Sequence, residues 1–133
     1  MVPVQSFVFL RRVLLVDALA SGGMGLLALL FAAPISGLLD LPASLLTQIG
    51  IVLLPFAAFV GFLASRPVPP NVGVWVVIGI NILWVIDSAF MLITGWVEPN
   101  GLGYAVLIGQ ALAVAVFAEL EYLGVRRTAL VSA

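Results

Sequence analysis

Residues 72–96 read VGVWVVIGINILWVIDSAFMLITGW, an apolar stretch with one charged side chain, Asp87. As a helix it is about 37 Å long at about 1.5 Å per residue, enough to cross the roughly 30 Å hydrocarbon layer of a bilayer. Asp87 falls about three residues past the midpoint, roughly 5 Å from the bilayer centre. An ionised carboxylate there costs about 2.5–3.5 kcal/mol on the mildest insertion scale, so it needs a compensating partner or a function.

The rest of the chain has the same character. It has 133 residues, 64% hydrophobic and 8% charged, against roughly 45–50% and 25% in soluble domains. This composition places it in the membrane class and argues against a nucleic-acid partner. No run pairs a basic start with a short apolar core and a small-residue cleavage site, so the first apolar segment is read as its own insertion signal. Cys and His are both absent. The usual side chains for haem, structural zinc, iron–sulfur clusters and thiol chemistry are therefore missing, and neither metal nor cofactor is expected.

Moving outward, apolar runs of spanning length occur at about residues 13–33, 44–64 and 102–124, besides 72–96. The predicted fold is an all-α, polytopic four-helix transmembrane bundle forming one domain over 1–133. Residues 33–43 (APISGLLDLPA) contain Pro34, Gly37 and Pro42 and are read as a connection, either lying in the interface or packed on the bundle mouth. Pro55 interrupts the second span, where a kink near Val52 or Leu54 is expected. Residues 65–71 (SRPVPPN) form a stiff turn, and residues 97–101 (VEPNG) carry good turn chemistry. Trp75, Trp96, Tyr104 and Tyr122 near the span ends fit interfacial aromatic belts.

Charge placement sets the threading. Arg11, Arg12, Arg66, Arg126 and Arg127 all fall on one side of a four-span arrangement, whereas the other side has Asp40 and Glu98 and no basic residue. By the positive-inside rule both termini are cytoplasmic, in a bacterial-type inner membrane.

Three polar groupings stand out. Asp87 and Gln110 lie at similar depth in the outer half of their spans. A neutral Asp87 is expected to donate a hydrogen bond to Gln110, with Asn81 and Ser88 nearby. A second grouping, Asp17 and Glu119 with Glu121 nearer the surface, lies in the inner leaflet, where the Arg side chains could form a ring of salt bridges. The third is a face of small or polar groups on the first span, Asp17, Ser21, Gly25, Ala28 and Ala32, suited to close helix packing, with Ala105, Gly109 and Ala113 its counterpart on the fourth. On the fourth span Gln110, Phe117 and Glu121 share one face and Glu119 points nearly opposite, so that helix is expected to touch protein on both sides.

No grouping completes a catalytic constellation. The chain reads as a non-catalytic structural or accessory subunit of a homo-oligomer or larger membrane complex, with the lipid bilayer and other subunits as partners. The alternative is a small proton- or cation-coupled transporter or channel using Asp87. A lipid-acting enzyme ranks third.

Overall fold

A computed structural model describes residues 7–132. They form five helices: α1 (Val8–Leu30), α2 (Ala32–Leu39), α3 (Ala43–Ser65), α4 (Asn71–Ile93) and α5 (Gly101–Ser132). The described residues contain no strand. α1, α3, α4 and α5 each have the length and apolar character to span a membrane. Helices suit such segments because hydrocarbon offers the backbone no hydrogen bonds, and a helix satisfies its own.

The element bounds differ from the sequence expectation where side-chain packing extends a helix. α1 begins at Val8 rather than near residue 13, since Phe7 and Leu10 are buried. α5 runs past Arg126 and Arg127 to Ser132 instead of stopping at 124. α4 ends at Ile93 rather than 96 because Gly95 adopts φ 72°. Thr94 N–H then donates to Phe90 O at 3.0 Å and Trp96 N–H to Met91 O at 3.1 Å, a glycine-terminated cap of the Schellman kind.

The first connection, for which an interfacial segment and a loop on the bundle mouth were both expected, is largely helical. Pro34 is the third residue of α2. At that position a helix has no use for a backbone N–H, so the proline does not break it. Asp40, left-handed at φ 59°, ends α2, and the Ser36 hydroxyl donates to Leu41 O to close the turn. Leu39 and Leu41 are buried, so the segment closes one end of the bundle. Asn100 clamps it to α5 by donating from its backbone N–H to Leu39 O at 3.1 Å and from Nδ2 to Leu38 O at 2.8 Å.

α1 and α3 make the most intimate pair. A Cβ on Gly50 would lie 2.7 Å from Leu29 Cβ and 2.8 Å from Gly25 O, and one on Gly25 would lie 3.0 Å from Leu53 Cβ. The small face of the first span is therefore where α3 seats. Without water to drive apolar association, such close backbone approach supplies the van der Waals packing. Pro55 lies inside α3, which continues unbroken from Ala43 to Ser65.

α4 and α5 form the second hairpin, and α3 scarcely touches α4 despite the tight turn joining them. Two apolar clusters hold the hairpins together. One, with Leu10, Leu14, Val60, Leu63, Val74 and Val77, lies at the Arg end. The other, with Ala28, Leu39, Leu41, Leu46 and Val97, lies beneath α2. The polar side chains of the bundle are gathered between them.

Candidate functional site

Asn81 on α4 is the hub of the polar cluster nearer the Arg end, the one expected in the inner leaflet. Its Nδ2 donates to Asp17 Oδ2 of α1 at 3.0 Å and to Glu121 Oε1 of α5 at 2.9 Å, which engages both amide protons. Ser21 Oγ, one turn along α1, donates to Asp17 Oδ1 at 3.1 Å. Asp17, Asn81 and Glu121 are 2%, 4% and 0% exposed, so the cluster is sealed from the outer surface of the bundle. Asp17 and Glu121 are thus gathered around the one Asn81 amide nitrogen. Glu121 Oε2 is buried without a hydrogen-bond partner.

Among the described residues the Arg side chains make contacts other than the expected ring of salt bridges. Arg11 Nε donates to Ala64 O at 3.1 Å. The guanidiniums of Arg66, Arg126 and Arg127 sit over the rings of Phe62, Tyr122 and Phe9 at 5.6, 5.8 and 4.6 Å. The membership of the inner cluster also changes. Glu121, not Glu119, is gathered with Asp17, because Glu121 lies on the face of α5 that Gln110 and Phe117 turn into the bundle, whereas Glu119 lies about 160° away around the helix. Glu119 is exposed in an apolar groove between α4 and α5 lined by Trp75, Ile82, Ile86 and Tyr122.

The outer polar level is built on Gln110. Its Oε1 accepts from Trp84 Nε1 at 2.7 Å, while Nε2 donates to Ser88 Oγ at 3.2 Å and to Leu107 O at 2.9 Å. The expected Asp87–Gln110 hydrogen bond is absent. Trp84 and Ser88, four residues apart, face α5, while Asp87 is turned about 100° from Ser88 around the helix and is exposed. Asp87, Gln110, Asn81 and Ser88 thus form no single site: Gln110 and Ser88 meet, Asn81 belongs to the inner cluster and Asp87 to neither. Trp84 was overlooked in the sequence. Its one signal was the shared face of positions 84 and 88 at the depth of Gln110.

Between the two levels lies a cavity of about 90 Å³ to which α1, α3, α4 and α5 all contribute. Ser21 and Asn81 line it on the inner side, Trp84 and Gln110 on the outer side, and Met24, Phe56 and Phe117 between. Among the described residues no cluster of three or more acidic side chains could hold a metal ion.

Comparison with family models, curated proteins and solved structures finds no match to this chain.

On the outside of the bundle, two helix faces differ from the others. Val76, Ile80, Leu83, Asp87, Phe90 and Thr94 on α4 are all exposed and follow a 4-3-4-3-4 spacing, and so do Ala105, Gly109, Leu112, Val116, Glu119 and Leu123 on α5. Each stripe carries one acid. α1 and α3 have no exposed acid: Asp17 is buried, and α3 contains none. Of the expected small face on α5, Ala105, Gly109 and Ala113 are all exposed, Ala113 lines the central cavity, and a Cβ on Gly109 would meet nothing within 4 Å.

Proposed function

We propose that the chain is a non-catalytic subunit of a homo-oligomer or larger complex in a bacterial-type inner membrane, joined to its neighbours through α4 and α5, with its Arg-bearing end cytoplasmic. The observation that carries this reading is Asp87, an exposed acid five residues past the midpoint of a membrane-spanning apolar helix. An acid left against lipid costs free energy, about 2.5–3.5 kcal/mol at a span's centre and less towards its ends, and burial against another subunit offers it a hydrogen-bonding partner. The spacing of its stripe supports the same conclusion. Apolar residues at alternating three- and four-residue intervals make a helix–helix seam, and a single polar group within a seam fixes register and partner number. The Arg distribution supports the orientation.

The alternative, cation- or proton-coupled transport through Asp87, has less support, because Asp87 is not among the residues lining the central cavity.

Native mass spectrometry of the protein extracted in mild detergent tests the subunit reading. The wild type should appear as a defined oligomer or with a stoichiometric partner, and Asp87→Leu should change that assembly. A wild type that is monomeric in every mild detergent and in lipid nanodiscs would overturn it.

A further inference from the structure

The central cavity has a chemistry that the subunit reading does not use. Its inner wall is Ser21 and Asn81, and both side chains donate hydrogen bonds to Asp17. Immediately behind them lies the buried Asp17–Glu121 pair, with Glu121 Oε2 unpartnered. Asp17 and Glu121 lie 3.0 and 2.9 Å from the same Asn81 amide nitrogen, and among the described residues no Arg is paired with either, so the two acids set a negative potential behind this wall. A monovalent cation is the ligand that completes this arrangement. The position between the two acids is already taken by the Asn81 amide, so a metal ion bridging both would have to displace it.

The remaining walls decide what kind of cation fits. Met24, Leu53, Phe56, Trp84, Val114 and Phe117 are apolar or aromatic. An alkali ion, which needs a shell of oxygens, would find too few. An ammonium head on a short carbon chain would find acceptors at one end, ring faces along its length and apolar contact for its carbons. The volume limits the chain. An engineered cavity of about 150 Å³ holds benzene, so about 90 Å³ admits three to five heavy atoms.

We propose that the cavity between the two hairpins binds a small alkylammonium ion, its charged head at Ser21 and Asn81 beside the Asp17–Glu121 pair and its carbon chain against Met24, Phe56, Trp84 and Phe117. A lateral route of entry opens beside Val52 of α3, which lines the cavity and is itself exposed.

The test uses the full chain purified in detergent, with propylammonium chloride as probe and 1-propanol and sodium chloride at matched concentration as controls. Thermal unfolding and titration calorimetry are both read. Propylammonium should raise the unfolding midpoint saturably and give a binding heat, while neither control should. The double variant Asp17→Asn, Glu121→Gln, which leaves no acid behind the wall, should weaken binding about tenfold or more, as loss of a charge-assisted interaction does. Val114→Phe, which fills the cavity without touching the acids, should abolish binding even if the double variant proves too unstable to purify. Hexylammonium should bind more weakly than propylammonium. The proposal fails if the wild type shows no saturable response to propylammonium, if propanol matches it, or if Val114→Phe binds as the wild type does.

Discussion

Replacing Asn81 by Leu should destabilise the bundle more than any other single polar substitution. Leucine is similar in size, so the change leaves little cavity and isolates the loss of the amide. Two hydrogen bonds go at once, 3.0 Å to Asp17 and 2.9 Å to Glu121, and these are the amide's links from α4 to α1 and α5. Interhelical hydrogen bonds in membranes are worth about 0.6–2 kcal/mol each, and those to charged acceptors about 1.5–3 kcal/mol. The substitution should therefore cost about 2–4 kcal/mol, with a further contribution from two carboxyls left to face one another. Reversible unfolding in mixed micelles, titrated with a denaturing detergent, measures the difference. A double-mutant cycle with Glu121→Gln should give a coupling of about 1 kcal/mol or more, since the two groups touch. An Asn81→Leu cost below about 0.5 kcal/mol, or strict additivity in the cycle, would show that the cluster does not pin the hairpins together.

Gly50→Leu should cost about 2–4 kcal/mol, measured in the same unfolding assay, because a Cβ there already falls 2.7 Å from Leu29 Cβ and the side chain would force α1 and α3 apart. Gly109→Leu should leave the stability of the isolated subunit within about 0.5 kcal/mol, as it meets nothing in the chain; if α5 is an interface, native mass spectrometry should show a changed assembly. Gln110→Leu should cost about 1–2 kcal/mol in the unfolding assay and enhance solvent quenching of Trp84 fluorescence, since the Trp84 indole loses its acceptor at 2.7 Å. For the threading, cysteines at Ser36 and Asn100 should label from the periplasmic face and one at Ser65 should not; the reverse pattern would invert the orientation.

The four spans were legible because lipid imposes one rule on every residue of a span, and a run of apolar side chains meets it wherever the chain later packs. Helix α2 was not, because Pro34 and Gly37 read as punctuation until the position of Pro34 in the first turn is known. Position along the spans was easier to read. Asn81 lies towards the Arg end of α4 and Gln110 towards the other end of α5, and each joins the polar group at its own end of the cavity. The direction each residue faces was harder to read. Neighbouring helix positions differ by about 100°, so Asp87 and Ser88 share a depth yet look to different surroundings. Glu119 and Glu121 were grouped together with Asp17 for a related reason: similar distance from the end of the run says nothing of the face each occupies, and only Glu121 turns into the bundle. Their opposite faces on α5, by contrast, were readable, since Gln110 and Phe117 line the cavity and Glu121 lies buried on the same side.

The absence of native cysteine allows the interface claim to be tested with single cysteines in membranes. Leu83→Cys on the α4 stripe and Leu19→Cys on the outward face of α1 are both exposed on the isolated chain. Under oxidation Leu83→Cys should cross-link to a neighbouring subunit in high yield, and Leu19→Cys should stay monomeric. Equal cross-linking at both positions, or none at Leu83→Cys and at its seam neighbours Val76→Cys and Phe90→Cys, would contradict assembly through the Asp87 face.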